Sequence, residues 1–421
     1  MNYTDAVKFV HSRLRFGVRP GLDSIRHLLS LCGNPQKDMR FVHVAGTNGK
    51  GSVCTMLSGI FRSSGQKTGL YLSPYVTDFR ERIQVDGEMI AKTDFAVIIG
   101  QLKPAVEQLD ADGTVITEFE LLTAAAFMHY KNSGCGIVVL ETGLGGRFDA
   151  TNVIESPICS VITKIDYDHM AILGDTIEKI AAEKCGIIKR GCPVVSYPDQ
   201  YGGAQEVICR TSNSAHSRLI LPELAQIVSS DIGGTVARYR GMTLHIPLIG
   251  AHQAANAVTA AEAALICGAS PCQIEQGIAL VHFAARVEVL SKRPVTILDG
   301  AHNPNGMAAL RDTLSTVLDG KKPTMIVGML ADKDYDRALG IVAPMCEHII
   351  TVTVPNPRTL TAQALKATAE KYCPSVVSAR SYIGALRLAA ERAKDNPVVI
   401  CGSLYLASAI RQKAIEFARN R

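Results

Sequence analysis

A glycine-rich stretch, GTNGKGS at residues 46–52, contains the residue types that bind phosphate groups. It follows the apolar run FVHVA, which predicts a strand, and precedes a segment of helical periodicity. A strand, a glycine loop and a helix N-terminus present backbone N–H groups and a positive dipole end to phosphates. We therefore expect Lys50 to contact the β- and γ-phosphates of a nucleotide and the Ser52 hydroxyl to contact Mg²⁺. The apolar residues of the predicted helix are Val53, Leu57, Ile60 and Phe61.

The loop is a variant of the common phosphate-binding pattern G-x-x-x-x-G-K-[ST]. Lys50 precedes Gly51, so it stands two residues from Ser52 instead of directly before it. A glycine-rich turn without a ligand is the alternative interpretation, and it is less common in this strand-to-helix context.

Metal-binding side chains are expected at the same edge of the predicted sheet. Glu141 ends the apolar run GIVVLE, and a carboxylate at the carboxyl end of a parallel strand suits magnesium. Asp168 and His169 follow the next run, SVIT. A lone histidine is more often a surface or core residue, so only the position of His169 beside Glu141 and the loop favours a metal role.

Lys184 is predicted to be buried. The spacing of the apolar residues Ile177, Ile180, Ala181 and Ile188 places it on the inner face of a helix, for which Asp175 and Glu178 predict a capping box. Lysines on such faces often extend towards solvent. A lysine held near the nucleotide could instead have a lowered pKa, react with CO₂ and become a carbamate that holds a second Mg²⁺.

Further polar residues lie near the ends of later elements. The loop DGAHNP brings Asp299 and His302 after a predicted strand, and Asn256 begins a helix in GAHQAANA. Arg286, in ARVEVL, could bind a phosphate through both arms of its guanidinium. Each of these residues alone is more often a capping or surface residue.

Short apolar runs alternate with helical segments throughout the chain, which predicts an α/β protein. We expect an N-terminal domain with a mostly parallel sheet, similar to P-loop ATPases, and a smaller C-terminal Rossmann-like α/β domain. The basic, proline-ended stretch SKRP at residues 291–294 predicts domains at 1–293 and 294–421. Residues 197–248 show the least regular pattern, with several short candidate strands, and we assign them to the first domain.

Composition argues against several classes of function. The net charge is only +5 and no basic run tracks a phosphate backbone, so we expect no nucleic-acid partner. No uninterrupted run of about 18 apolar residues and no signal-peptide core occur, which predicts a soluble, cytoplasmic protein without membrane contact. The 12 cysteines form no CxxC pair and are expected to be reduced and mostly buried.

Many segments, in this order along nearly the whole chain, resemble the folylpolyglutamate synthase family of the Mur ligase superfamily, some of whose members are also dihydrofolate synthases. The resemblance implies a protein that uses ATP to phosphorylate the carboxylate of a folate or dihydropteroate, after which L-glutamate attacks the acyl phosphate. We expect the protein to be a monomer. The segments are HVAGTNGKGS, SPYVTDFRERIQVDGE, TEFELLTAAAF, ETGLGGRFDATN, DHMAILGDTIEKIAAEKCGIIK, GAHQAANA, LDGAHNPNG, GMLADKD and CGSLYLA.

The resemblance also implies roles for individual residues. ATP is expected to contact Thr47, Asn48, Gly49, Lys50, Gly51, Ser52, Asn256, Arg286 and Asp299. Lys50 and Lys184 are expected to be catalytic, with His302 as a weaker addition. Two Mg²⁺ sites are expected to involve Ser52, Ser73, Glu141, His169 and the carbamate of Lys184. The pterin is expected to contact Val18, Arg19, Pro20, Thr117, Glu118, Phe119, Glu120, Phe148, Asp149 and Ala150.

Two alternatives and one departure stay open. Another Mur-type ligase acting on a cell-wall precursor would share the loop, although its loop usually continues Gly-Lys-Thr-Thr. A nucleotide-gated binding module would not need the acidic, lysine and arginine residues together. Where many relatives of the resembled family have Ser-Pro-His, this chain has Ser-Pro-Tyr, so Tyr75 keeps a hydroxyl and an aromatic face but lacks the imidazole.

Overall fold

The computed structural model describes residues 1–17 and 20–420. Its contacts divide the chain into two compact units, each with its own sheet system. The first unit contains Met1–Tyr75, Phe79–Leu224 and Ala255–Leu280, and the second contains Val76–Asp78, Ala225–Ala254 and Val281–Arg421.

The first unit is built on an eight-stranded sheet. Its strands in spatial order are β4 (Glu88–Met89), β3 (Ile83–Val85), β2 (Thr68–Tyr71), β5 (Ile137–Glu141), β1 (Phe41–Ala45), β6 (Cys159–Ile162), β7 (Val194–Ser196) and β8 (Leu219–Ile220). The strands from β2 to β8 in this order are parallel, and β3 and β4 add an antiparallel edge.

The central strands β1 and β5 are buried at every residue, as expected for parallel strands covered by helices on both faces. Their register pairs Val44 with Glu141, so the carboxylate lies beside the last residues of β1. The carboxyl ends of β2, β5, β1 and β6 therefore meet at one edge of the sheet, where open α/β sheets bind ligands.

Helices of the first unit cover this sheet. One apolar core involves α1, α2, α4 and α5, and another involves α7 and α8. The helices are α1 (Tyr3–His11), α2 (Asp23–Leu31), α3 (Lys50–Ser63), α4 (Lys92–Ala111), α5 (Glu118–Asn132), α6 (Met170–Leu173), α7 (Ile177–Lys184), α8 (Gly202–Ser214), α9 (Ala251–Ile266, of which residues 255–266 belong to this unit) and α10 (Pro271–Ala279).

The second unit has a three-stranded antiparallel sheet and a six-stranded sheet. The small sheet has the order β11 (Met242–Ile246), β10 (Gly234–Tyr239), β9 (Gln226–Asp231). The larger sheet has the order β12 (Glu288–Lys292), β13 (Val295–Leu298), β17 (Val398–Cys401), β14 (Thr324–Val327), β15 (His348–Thr351), β16 (Val376–Ser378), all parallel except β12. Its helices are α11 (Pro304–Val317), α12 (Tyr335–Val342), α13 (Ala362–Ala369), α14 (Tyr382–Ala393) and α15 (Leu404–Asn420).

The predicted fold class is confirmed: a mostly parallel sheet precedes a second α/β unit. The stretch 291–294 does not separate the two sheets, because β12 and β13 pair as a hairpin across it. Residues 225–254 lie in the second unit and include the three-stranded sheet, whereas the sequence assigned them to the first. The division at 293/294 therefore differs from the boundary between the compact units.

Three smaller expectations have different outcomes. The capping box of α7 is wrong: Thr176 is the N-cap, and Asp175 instead pairs with Lys179. The cysteines, all 12 of which lie within the described residues, are free thiols, and most of them are buried, as predicted. None of the helices in the described ranges is long and apolar enough to cross a membrane.

Candidate functional site

The glycine loop connects β1 to α3 as predicted. Gly49 has a φ of 87°, a left-handed conformation that glycine adopts without strain, and α3 begins at Lys50. The N-cap residue is Gly49, which has no side chain to cap the helix, and the first-turn N–H groups of Lys50, Gly51 and Ser52 have no partner within the helix. The loop thus presents backbone donors and a positive dipole end at the ligand-binding edge of the sheet.

Asn256 lies against this loop. It is buried, and a Cβ atom added to Gly49 would collide with its amide group. Glycine at this position therefore allows α9 to bring an amide next to the loop, and the structure brings together two residues that the sequence predicted to bind the nucleotide.

The segment after β6 anchors the beginning of the loop. The backbone N–H groups of Thr47 and Asn48 donate to the Lys164 carbonyl at 2.8 and 3.1 Å. The Thr47 hydroxyl also donates to the Asp166 carbonyl and accepts from the Asp166 N–H, both at 3.0 Å. Thr47 therefore fixes the loop to the segment after β6 through both its N–H and its hydroxyl.

Two lysines share one acceptor in the loop. Lys184 is only 4% exposed, and its Nζ donates to the Gly46 carbonyl at 2.8 Å. Lys50 donates to the same carbonyl at 3.1 Å and to the Thr47 carbonyl at 3.2 Å. Burial, reinforced by the Lys50 charge, lowers the pKa of Lys184 to about 7, while Asp168 and Asp149 act in the opposite direction. The structure thus agrees with the predicted burial of Lys184.

The predicted metal ligands lie at the ends of neighbouring strands and loops. Glu141, buried at the end of β5, accepts a hydrogen bond from the Ser73 N–H at 2.9 Å. Ser52, buried in the first turn of α3, contributes a hydroxyl. His169 has a left-handed backbone at the start of α6, and its Nε2 lies 3.9 Å from Asp168 Oδ1.

Arg82 is a residue at this edge that the sequence did not single out. Its Nη1 donates to Ser73 Oγ at 3.3 Å, and its guanidinium lies 5.4 Å from the centre of the Tyr75 ring. Tyr75 therefore provides an aromatic face for this cation. Nothing in DFRERI distinguishes Arg82 from the three other charged residues before it.

The segment TEFE contains the start of α5. Thr117 caps the helix, and its N–H and hydroxyl both donate to Glu120 at 2.8 and 2.7 Å in a capping box. Glu118 lies 3.2 Å from the His11 ring. The Phe119 ring packs against Gly143, where an added Cβ would approach it to 2.6 Å. TEFE and the loop after β5 are therefore neighbours, as their shared predicted role requires.

Asp149 stabilises the loop after β5 from within. It is buried and accepts from the N–H groups of Gly143 and Leu144 at 2.9 and 2.8 Å, and burial raises the pKa of its carboxyl group. It also accepts from the Thr151 hydroxyl at 2.5 Å. Its neighbour Phe148 is 50% exposed, whereas Ala150 is buried.

His43 extends this buried network into β1. Its Nε2 lies 2.8 Å from the Thr151 hydroxyl, which donates to Asp149, so Nε2 carries the proton that Thr151 accepts. Burial, with the Lys189 charge, lowers the pKa of His43 to about 3, which keeps the ring neutral. No pattern in the sequence indicates this role, because His43 is a single polar residue within an apolar strand.

The remaining pterin prediction, FGVRPG, is only partly covered. Pro20 is exposed, and Val18 and Arg19 lie outside the described residues.

In the second unit, Asp299 is buried after β13. Its Oδ2 accepts from the Val287 N–H at 2.8 Å and its Oδ1 from the Ala301 N–H at 2.7 Å, so the carboxylate fixes two backbone segments around Arg286. His302 Nδ1 lies 2.9 Å from the Gly300 carbonyl, which makes Nδ1 the donor. The structure therefore brings Arg286 and Asp299 to one loop cluster of this unit.

Comparisons with known proteins cover both units. Residues 44–264 match the family described as Mur ligase middle domain, and residues 285–404 match Mur ligase, glutamate ligase domain. Among curated proteins, the folylpolyglutamate synthase of Lacticaseibacillus casei is 35% identical over 98% of both chains. The dihydrofolate synthase/folylpolyglutamate synthase of Bacillus subtilis is 34% identical over 98% of this chain and 99% of its own.

Solved structures show the same similarity in three dimensions. A Mycobacterium tuberculosis folylpolyglutamate synthase complexed with ADP has a TM-score of 0.91 and 29% identity, covering 98% of this chain and 99% of the other. A folylpolyglutamate synthase (FPGS) structure described as an FPGS–AMPPCP–folate complex has a TM-score of 0.84 and is 33% identical, covering 98% of this chain and 99% of the other.

Proposed function

The chain belongs to the folylpolyglutamate synthase and dihydrofolate synthase family of Mur ligases, and from this premise we propose that it adds L-glutamate to folates with ATP as co-substrate. One observation carries the proposal. The first turn of α3 after Gly49, with Lys50 and the buried Glu141 at the same sheet edge, supplies the donors, cation and carboxylate that phosphoryl transfer requires.

The proposed reaction has three steps. The folate carboxylate attacks the γ-phosphorus of ATP, which forms an acyl phosphate and releases ADP. The glutamate amine then attacks the acyl carbon, and the tetrahedral intermediate collapses to an amide and inorganic phosphate. Lys50 and the N–H groups of the first turn of α3 stabilise the negative charge that develops on the phosphoryl oxygens.

We propose that Ser73, Glu141 and His169 hold one Mg²⁺ and that Ser52 acts at the other. Among the described residues, no group of three or more His, Cys, Asp or Glu side chains is arranged to bind a metal. One carboxylate with hydroxyl groups, completed by phosphate oxygens and water, nevertheless fits magnesium, which keeps several waters and binds few protein carboxylates. When bound, Mg²⁺ would neutralise charge on the transferred phosphate.

We further propose that Lys184 becomes a carbamate that serves a second Mg²⁺ site. With a pKa of about 7, roughly three quarters of its amines are neutral at pH 7.5, against about 0.1% for an ordinary lysine. The neutral nitrogen attacks CO₂, a C–N bond forms, and one proton leaves to solvent. Lys184→Ala should abolish turnover, and added short carboxylates should restore part of it. Unchanged activity in Lys184→Ala would contradict the carbamate.

The remaining residue roles come from the family resemblance. We propose nucleotide contacts for residues 47–52, Asn256, Arg286 and Asp299, with His302 in support. For the pterin we propose residues 18–20, 117–120 and 148–150, with Phe148 as a direct contact and Asp149 acting through the loop that it fixes.

Glutamate-dependent turnover tests the proposed function. Phosphate release should require ATP, Mg²⁺, L-glutamate and a folate together, and the product should gain the mass of one glutamate. ATP turnover without glutamate would favour a nucleotide-gated binding module. Turnover with a cell-wall precursor but not with a folate would favour a Mur-type ligase of cell-wall synthesis. Dihydropteroate assayed beside tetrahydrofolate separates the two activities, since relatives such as the Bacillus subtilis protein are named for both.

A further inference from the structure

Arg286 lies between two residues with unusual backbone conformations. Ala285 has a φ of 54° and Val287 a φ of 48°. Left-handed backbone is disfavoured for residues with a Cβ atom, and a β-branched valine in it is an outlier. Such residues persist where the surrounding structure holds them in place, and they concentrate at functional sites.

Packing fixes the side chains of both outliers. Val287 is buried in one apolar cluster, which includes Met307 of α11, and Ala285 is buried in another, which includes Ile410 of α15. The residues on each side of Arg286 are therefore anchored, and the position of its backbone is determined.

Two carboxylates hold the backbone of this turn. Asp299 accepts from the Val287 N–H, as described above, and Glu288 Oε2 accepts from the Ala285 N–H at 3.0 Å. The Ala285 carbonyl in turn accepts from the Gly300 N–H at 2.9 Å. The same carbonyl also accepts from Arg286 Nη1 at 3.0 Å. The backbone on the two sides of Arg286 is thus held by Asp299, Glu288, the loop after β13 and the guanidinium of Arg286 itself.

Glu288 is itself fixed by Arg411 of α15. Arg411 Nη2 donates to Oε1 at 2.5 Å and Arg411 Nε donates to Oε2 at 3.0 Å, a fork-to-carboxylate pair. The two side chains are 27% and 19% exposed, so solvent screens the pair only in part. Oε2 therefore joins the guanidinium of Arg411 to the N–H of Ala285.

We propose that Glu288 and Arg411 are positioning residues that hold the strained turn and thereby orient Arg286 for the phosphates of the nucleotide, an inference that rests on the proposed nucleotide contact of Arg286. Neither residue touches the ligand. Their effect reaches the reaction only through the direction of the Arg286 side chain.

A double-mutant cycle on the full-length enzyme tests this inference, with the dissociation constant of ADP measured by calorimetry. Arg286→Ala should weaken ADP binding about tenfold or more, because it removes a charged hydrogen bond. Glu288→Ala should weaken it about fivefold, and the double variant should bind ADP no more weakly than Arg286→Ala. Lys371→Ala, which removes the exposed ion pair with Asp336 in the same unit, is the control and should stay within about twofold of the wild type.

The outcomes separate three cases. If Glu288→Ala weakens ADP binding by the same factor with and without Arg286, the positioning role is overturned. If Arg286→Ala binds ADP normally while glutamate-dependent turnover persists, the nucleotide contact of Arg286 is wrong and the enzymatic function stands. If Glu288→Ala does not fold, Arg411→Lys replaces it in the test, because lysine keeps the charge but cannot form the two-pronged pair with Glu288. Normal ADP binding by Arg411→Lys would also overturn the inference. If Arg411→Lys weakens ADP binding in the wild-type background but not in the Arg286→Ala background, the inference is supported.

Discussion

Replacing Lys184 by methionine should stabilise the ligand-free enzyme at low pH. Methionine is similar in length to lysine and apolar, so it suits a side chain that is only 4% exposed. Burial lowers the pKa of Lys184 from 10.5 to about 7, and at about 1.4 kcal/mol per pKa unit this corresponds to a cost near 5 kcal/mol for the charged form. The lost hydrogen bond to Gly46 offsets about 1 kcal/mol.

The gain should depend on pH in a defined direction. Below pH 7 the lysine is charged in both the folded and the unfolded state, so the wild type bears the full cost. Between pH 7 and 10.5 only the unfolded state holds the proton, and the free energy of unfolding of the wild type rises with pH. Lys184→Met should therefore be about 3–4 kcal/mol more stable at pH 6, and the difference should vanish near pH 10.

Urea unfolding in CO₂-free buffer at pH 6, 8 and 10 measures this difference. Lys179→Met, which changes an exposed lysine on the same helix, is the control and should alter stability by less than about 0.5 kcal/mol at each pH. The reasoning is refuted if Lys184→Met is less stable than the wild type at pH 6, or if the difference between them does not shrink as pH rises.

Three other substitutions test separate parts of the site. Gly49→Ala places a Cβ atom against the Asn256 amide at a residue whose φ is 87°, which disfavours any side chain. ADP binding should therefore weaken at least tenfold, and thermal unfolding should show a loss of about 1–2 kcal/mol in stability. Unchanged ADP affinity would show that the loop does not bind phosphate. Glu141→Gln should reduce Mg²⁺-dependent turnover at least 100-fold, and metal-free ADP binding, measured in chelator, should change little. Thr151→Val breaks the connection from His43 to Asp149 and should raise the KM for folate several-fold without raising that for ATP, whereas Thr151→Ser should behave as wild type.

The sheet edge could be predicted because its strands follow simple rules. FVHVA and GIVVLE are continuous apolar runs, and such runs predict parallel strands covered on both faces. The division between the units could not be predicted in the same way. SKRP has the composition of a linker, but hairpin turns have the same composition, and only the pairing of β12 with β13 distinguishes the two.

The surroundings of the candidate site were predictable where a side-chain pattern reports them, and unpredictable where the backbone makes the contact. The burial of Lys184 was predicted because helical periodicity places it on the inner face of a helix. The Lys164 carbonyl, which receives the N–H groups of Thr47 and Asn48, has no signature in the sequence, since every residue has a carbonyl. The strain on the two sides of Arg286 is equally invisible, because alanine and valine rarely adopt positive φ.

The shared acceptor of the two lysines connects nucleotide binding with the state of Lys184. In the ligand-free loop, Lys50 and Lys184 both donate to the Gly46 carbonyl, and the Lys50 charge helps to lower the pKa of Lys184. A phosphate that attracts Lys50 brings negative charge to the same place, and negative charge favours the ammonium form. An ammonium cannot attack CO₂. In the proposed reaction, carbamate formation on Lys184 is therefore favoured before ATP binds, when Lys50 is the dominant charge beside the amine.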